Sequence, residues 1–185
     1  MAMGWNRVAR RIRVPLGFAF AVLFLWLARP TWLFLALSLV LVVPGLLLRG
    51  YASGYVKKNA ELTMTGPYAH TRNPLYLGSI LIAFGFALAA HSLWIALILA
   101  ILFAAIYIPV IRSEEEYLRS VFPEFDAYAT TVPRLLPRVV AAEGSGATKG
   151  VFSGALYRKH REYNALLGAA GMYAALILKL VLLRK

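Results

Sequence analysis

Residues 93–111 read LWIALILAILFAAIYIPVI, nineteen positions without a charged side chain. As an α-helix this stretch is about 28 Å long, close to the ~30 Å hydrocarbon thickness of a bilayer. It decides the fold class because the pattern recurs on both sides of it. Residues 75–90 form another apolar run, opened by Pro74, a favourable helix-start residue. A His91-Ser92 turn joins that run to 93–111. Earlier in the chain, residues 31–48 and 14–28 are apolar and meet at Arg29-Pro30. A last run, 165–183, is interrupted only by Lys179, whose alkyl stem lets its ammonium reach an interface. The pattern predicts an all-α, polytopic integral membrane protein with about five transmembrane helices. Pro44 and Pro109 fall inside two of these runs and predict kinks.

Composition agrees. The chain has 185 residues, 61% of them apolar and 15% charged. A soluble domain carries roughly 25% charged residues. Here the charges are also segregated from the apolar runs, which excludes an ordinary soluble domain, a disordered chain and a disulfide scaffold. There is no cysteine, which removes disulfides, thiolate metal sites and cysteine nucleophiles. The net charge of +12 points to anionic lipid more than to nucleic acid, because the basic residues lack regular aromatic interleaving.

Sixteen of the twenty Lys and Arg residues, and all eight acidic ones, lie before the first run or in the two longer connections. The positive-inside rule places these segments and the N-terminus in the cytoplasm and the C-terminus outside. The membrane is then the cell inner membrane of a prokaryote or the endoplasmic reticulum of a eukaryote. Few apolar residues precede Ala19-Phe20-Ala21 and the apolar run continues beyond it, so a retained first helix is expected, not a cleaved signal peptide. Function should reside in residues 49–73 and 112–163. The stretch GSGATKG at 144–150 reads as a flexible linker. It divides a core, residues 1–140, from residues 151–185, a basic segment with the fifth apolar helix, the linker itself being 141–150.

Three polar features carry the candidate chemistry. The first is TGPYAHTRNPLY at 65–76, where Arg72 and Asn73 stand at a helix N-terminus on the membrane surface, next to free backbone N–H groups. Tyr76, one turn in, can offer its ring to a cation. Taken singly, the same residues also read as an N-cap, an interfacial tyrosine belt and a positive-inside arginine. The second is RSEEEYL at 112–118, three successive carboxylates of which at most one or two can face the bundle. The third is FPEFDAY at 122–128 followed by VPRLLPR at 132–138, a proline-punctuated segment suited to lying across the membrane surface as a cover.

Together these motifs resemble the isoprenylcysteine carboxyl methyltransferase family, within the wider group of integral-membrane methyltransferases that includes phospholipid methyltransferases. That family has G-x-Y-x-x-x-R-H-P-x-Y before a helix, E-E-x-x-L after the next one, then F-G/P-E and Y-x-x-x-V-P-x-x-x-P. This chain has Gly66-Pro67-Tyr68, Arg72-Asn73-Pro74-Leu75-Tyr76, Glu114-Glu115 with Leu118, Phe122-Pro123-Glu124, Tyr128, and Val132-Pro133 with Pro137. The match covers roughly residues 55–138.

The resemblance implies S-adenosylmethionine as methyl donor, held at the cytoplasmic face by Glu61, Leu62, Thr63, Tyr68, Asn73, Pro74, Leu75, Tyr76 and Glu114. It makes Glu114 more important than Glu115 or Glu116. Arg72 and Arg112 are the candidates for anchoring an anionic acceptor. The acceptor itself would be lipidic or amphiphilic, either an isoprenylcysteine-type carboxylate or a phospholipid or small lipid headgroup. Two positions depart from the pattern. Asn73 stands where the family usually has histidine, and Val110 where the isoprenylcysteine enzymes have a substrate-binding arginine, the nearest here being Arg112. His70, His91 and His160 have no partner at metal-ligand spacing, so no metal site is expected. Two other readings compete. Membrane sterol reductases share a similar R-x-x-H-P-x-Y stretch and use NADPH, and a lipid-binding membrane protein could keep the fold without catalysis. Binding of S-adenosyl compounds rather than NADPH separates the three.

Overall fold

The computed structural model describes residues 20–57, 61–142 and 150–183. Every element among them is helical, and no strand occurs. Helix α1 is seen over residues 20–27. A short connection follows, in which the Arg29 N–H donates to the Ala90 carbonyl at 2.7 Å. Thr31 caps α2 (Trp32–Ser53) by accepting from the Phe34 N–H. A single 3₁₀ turn, Gly66–Ala69, leads into α3 (Pro74–Ala89). His91, at φ 48, makes the reversal into α4 (Leu93–Leu102). After a π-helical turn at Phe103–Tyr107 the same rod continues as α5 (Ile108–Val121). Then come α6 (Phe125–Thr131), α7 (Gly154–Lys159) and α8 (Tyr163–Leu183).

Three helical stretches are long and apolar enough to cross a bilayer: Trp32–Ser53, Leu93–Val121 and Tyr163–Leu182. Helix α3 has only 16 residues. Of the expected first span, residues 14–19 lie outside the described residues, as do residues 143–149 of the linker. The kink expected at Pro109 is resolved as the π turn just before it. A proline lacks the N–H for the bond to residue i−4 and crowds that carbonyl. One wider turn absorbs both problems without breaking the rod. At Pro44, α2 simply runs on.

Helices α2 and α3 pack backbone to backbone through glycines. A β-carbon on Gly45 would sit 2.8 Å from the Gly78 carbonyl oxygen, and one on Gly85 would sit 2.5 Å from Val42 Cγ2. Helix α8 lies along α2. Glu162, just before it, meets Arg49 near the end of α2, and Tyr173 meets Ser38 Oγ at 2.6 Å. Farther along, the Lys179 ammonium donates to the carbonyls of Leu25, Trp26 (3.1 Å) and Ala28 (2.6 Å). The main apolar core occupies that end of the bundle and includes Phe24, Leu35, Ile95 and Leu176. A smaller cluster of Leu62, Phe125, Tyr128 and Val132 supports the opposite end.

Candidate functional site

The opposite end holds a cavity of about 470 Å³. The loop after α2, the first turn of α3, the π turn, α5, α6 and the residue before α8 all contribute to its walls. Pro74 opens α3, and its preset φ fixes where the helix begins. Asn73, at the N-cap, does not cap the first turn. Its side-chain amide instead donates to the Arg134 carbonyl at 2.9 Å and to Glu115 at 3.4 Å. The first N–H groups of α3 are thus left without a side-chain cap from Asn73, beside the cavity.

Glu115 is the anchor of this wall. Only 4% of it is exposed, and it is shared by two arginines. Arg134 grips it through Nε at 3.0 Å and Nη2 at 2.8 Å, and Arg72 approaches through Nη1 at 3.4 Å. These hydrogen bonds hold the Arg134 guanidinium above its ordinary pKa. Three charges of +1, +1 and −1 leave the cluster net positive, and the buried Nε of Arg72 has no hydrogen-bond partner among the described residues. One residue earlier, Glu114 is exposed and accepts from the Tyr76 hydroxyl at 2.8 Å. The Tyr76 ring meets Tyr107 edge to face, with centroids 5.5 Å apart. Tyr107 belongs to the π turn, so the device that accommodates Pro109 also supplies an aromatic wall.

Two further groups fix the remaining walls. The Tyr128 hydroxyl donates to the Tyr68 carbonyl at 2.7 Å. Burial pushes the pKa of both phenols upward, for Tyr68 with help from neighbouring Tyr128 and for Tyr128 against the pull of Arg72. Both are held as neutral phenols at physiological pH. On the other side, Arg49 makes a bidentate pair with Glu162, Nη2 donating to Oε1 at 2.8 Å and Nε to Oε2 at 3.1 Å. The same guanidinium reaches Ser79 Oγ at 2.5 Å and the Leu75 carbonyl at 3.3 Å, in the first turns of α3.

Every residue expected to touch the cofactor lines this cavity: Glu61, Leu62, Thr63, Tyr68, Asn73, Pro74, Leu75, Tyr76 and Glu114. Arg72 lines it too, whereas Arg112 is exposed on α5 and is not among the lining residues. Of the paired carboxylates both Glu114 and Glu115 face inward, Glu115 being the buried one. The sequence did not single out Arg49, Ser79, Tyr107 or Glu162. Arg49 and Glu162 stand 113 positions apart and each reads alone as a solvated charge. Among the described residues there is no group of three or more His, Cys, Asp or Glu able to hold a metal ion.

Comparison with known proteins bears on the same stretch. Nickel-cobalt-cadmium resistance protein NccN of Alcaligenes xylosoxydans xylosoxydans is 44% identical over 89 residues, which cover 48% of this chain and 41% of that protein. Cobalt-zinc-cadmium resistance protein CzcN of Cupriavidus metallidurans is 40% identical over 94 residues, 51% of this chain and 43% of the relative. The chain therefore spans about two fifths of the length of these curated relatives. No solved structure matches significantly. The family model described as phospholipid methyltransferase matches residues 48–124, from the end of α2 through the cavity-lining loop, α3, α4 and α5. That segment, which carries the motifs noted in the sequence, is a phospholipid methyltransferase family match.

Proposed function

We propose that the protein is an S-adenosylmethionine-dependent membrane methyltransferase acting on a lipidic acceptor at the cytoplasmic face. One observation carries the proposal. Motifs at 61–76 and 114–128, far apart in sequence, converge on a single cavity at one end of an apolar helical bundle. The donor set suits the cofactor. The α3 N-terminus and the net-positive Arg72 cluster favour a carboxylate. Glu114 can hold an ammonium or a hydroxyl. The Tyr68, Tyr76 and Tyr107 rings can face a cation. When bound, the cofactor supplies an electrophilic methyl group on a sulfonium.

The chain's own residues then orient the partners and exclude water. Glu115 is occupied by Arg72, Arg134 and Asn73, and Tyr128 is a buried neutral phenol donating to a carbonyl. Neither is set to take a proton. Glu114 is exposed within the lining and is the carboxylate placed to do so if the acceptor is an amine. A carboxylate acceptor needs no base, and Arg72 is the cation positioned to hold it.

The first prediction tests the cofactor. Purified protein in detergent should bind S-adenosylhomocysteine by calorimetry and gain thermal stability as ligand concentration rises. Labelled S-adenosylmethionine incubated with the protein and native lipid extract should then mark one lipid class. Absence of binding at saturating ligand, or binding of NADPH in its place, overturns the proposal.

A further inference from the structure

Most large apolar side chains that stand exposed among the described residues lie on α1, α2, the continuous rod from α4 to α5 and α8, largely where lipid would cover them. Five do not: Leu136, Val139 and Val140, exposed to 78%, 96% and 67%, and Val151 and Phe152 before α7. Phe152 packs its ring on Tyr51 and Tyr55, whereas Leu136, Val139 and Val140 fall within five residues of one segment, and exposed apolar side chains so placed mark a contact surface.

The strap that carries the first three is firmly held. The Arg138 N–H donates to the His70 carbonyl at 2.9 Å and the Ala142 N–H to the Ala69 carbonyl at 3.0 Å. The Arg72 N–H donates to the Pro133 carbonyl at 3.0 Å, and Thr71 Oγ1 to the Leu135 carbonyl at 3.0 Å. One edge of residues 132–142 is thus stitched along the loop that enters α3, with Val132 buried beneath it, while Leu136, Val139 and Val140 stand exposed.

Depth follows from helix length. The 16 residues of α3 span about 24 Å, some 6 Å less than the hydrocarbon slab. Groups bonded to the start of α3 therefore lie near the slab's boundary. The strap's composition suits that depth. Leu136, Val139 and Val140 are apolar, Arg134 and Arg138 alternate with them, and Pro133 and Pro137 keep the segment from coiling into a helix. Arg138 uses Nη1 on the Thr131 carbonyl at 2.7 Å, which leaves other donors for lipid phosphates.

We propose that residues 134–140 form an interfacial strap whose Leu136, Val139 and Val140 side chains insert into the headgroup–acyl boundary of an anionic leaflet, with Arg138 on lipid phosphates. The rim of the cavity is thereby fixed at headgroup depth. This placement goes beyond the methyltransferase proposal and holds whatever chemistry the cavity performs.

The natural chain has no cysteine, so each introduced thiol is unique. Leu136→Cys, Val139→Cys and Val140→Cys would each carry a nitroxide in vesicles of phosphatidylcholine and phosphatidylglycerol. Val40→Cys on α2 serves as the lipid reference and Asp126→Cys on α6 as the aqueous one. The ratio of collisions with oxygen to collisions with a water-soluble nickel chelate reports depth. At the strap it should exceed the Asp126→Cys value several-fold and fall below the Val40→Cys value. Omitting phosphatidylglycerol should lower it. Ratios equal to that of Asp126→Cys overturn the insertion, and indifference to phosphatidylglycerol overturns the part given to Arg138. The three positions are read separately, so a variant that fails to reconstitute leaves two that decide.

Discussion

Glu114 and Glu115 are adjacent in sequence and line one cavity, but differ in burial and in partners. Successive helical residues point about 100° apart, which turns Glu115 into the buried wall and leaves Glu114 at the open side. Glu115→Ala would take the shared carboxylate from Arg72 and Arg134, so it should lower stability by about 3 kcal/mol. Glu114→Ala should leave stability nearly unchanged and weaken S-adenosylhomocysteine binding by about 1–3 kcal/mol, the scale for an unsatisfied polar partner. Thermal unfolding in detergent and calorimetry separate the two, and a reversed pattern would show that the wrong carboxylate has been given the ligand. The sequence motif placed both carboxylates near the site but could not rank them by burial. That ranking depends on Arg134, which arrives from the proline-punctuated strap 19 positions later. Asn73 was readable only as an N-cap or a cofactor contact. Its actual work, tying the Arg134 carbonyl to Glu115, requires the same strap to be in place.

Among the elements, the apolar helices α2, α3, the α4–α5 rod and α8 were legible because long apolar runs satisfy their backbone best as helices, whereas the short α6 and α7 carry no such signal. The π turn was not, since Pro109 predicts a disturbance and not its form. Nor was the Arg49–Glu162 pair, which links α2, the first turns of α3 and the segment before α8. Replacing Arg49 and Glu162 by Ala singly and together should reveal a coupling of about 1–2 kcal/mol in a double-mutant cycle on thermal stability. Arg49→Lys should recover little of it, because an ammonium cannot reproduce the bidentate fork while also serving Ser79 and Leu75. A coupling near zero would mean that the other contacts of α8, among them Tyr173 on Ser38 and Lys179 on the α1 carbonyls, dock it without this pair. The glycines make a second element-scale test. Gly45→Ala forces a methyl to 2.8 Å from the Gly78 carbonyl, so α2 and α3 must separate. A loss of about 1–3 kcal/mol is expected in thermal unfolding. Gly168→Ala and Gly171→Ala on α8 meet nothing within 4 Å and should be tolerated.

At the scale of the whole molecule, charge and chemistry share one end. The cavity, both arginine clusters and the interfacial strap lie where the basic connections gather, and the sequence already indicated that end by its charge asymmetry. Among the described residues the apolar end keeps two cations, Arg29 and Lys179, and the Lys179 ammonium sits on the last carbonyls of α1. Those carbonyls form the negative end of a helix and have no helical N–H partners. Lys179→Met should keep the shape of α8 but cost about 1–3 kcal/mol by leaving them unsatisfied. Thermal unfolding would show the loss, whereas an unchanged midpoint would show that water or lipid headgroups serve equally well. The contact also sets an order of events during synthesis. Helix α1 leaves the ribosome some 150 residues before the side chain that completes it. Until α8 inserts, these carbonyls of α1 lack the Lys179 ammonium. A chain broken before α8 would therefore lack a contact that belongs some 150 positions upstream of the break.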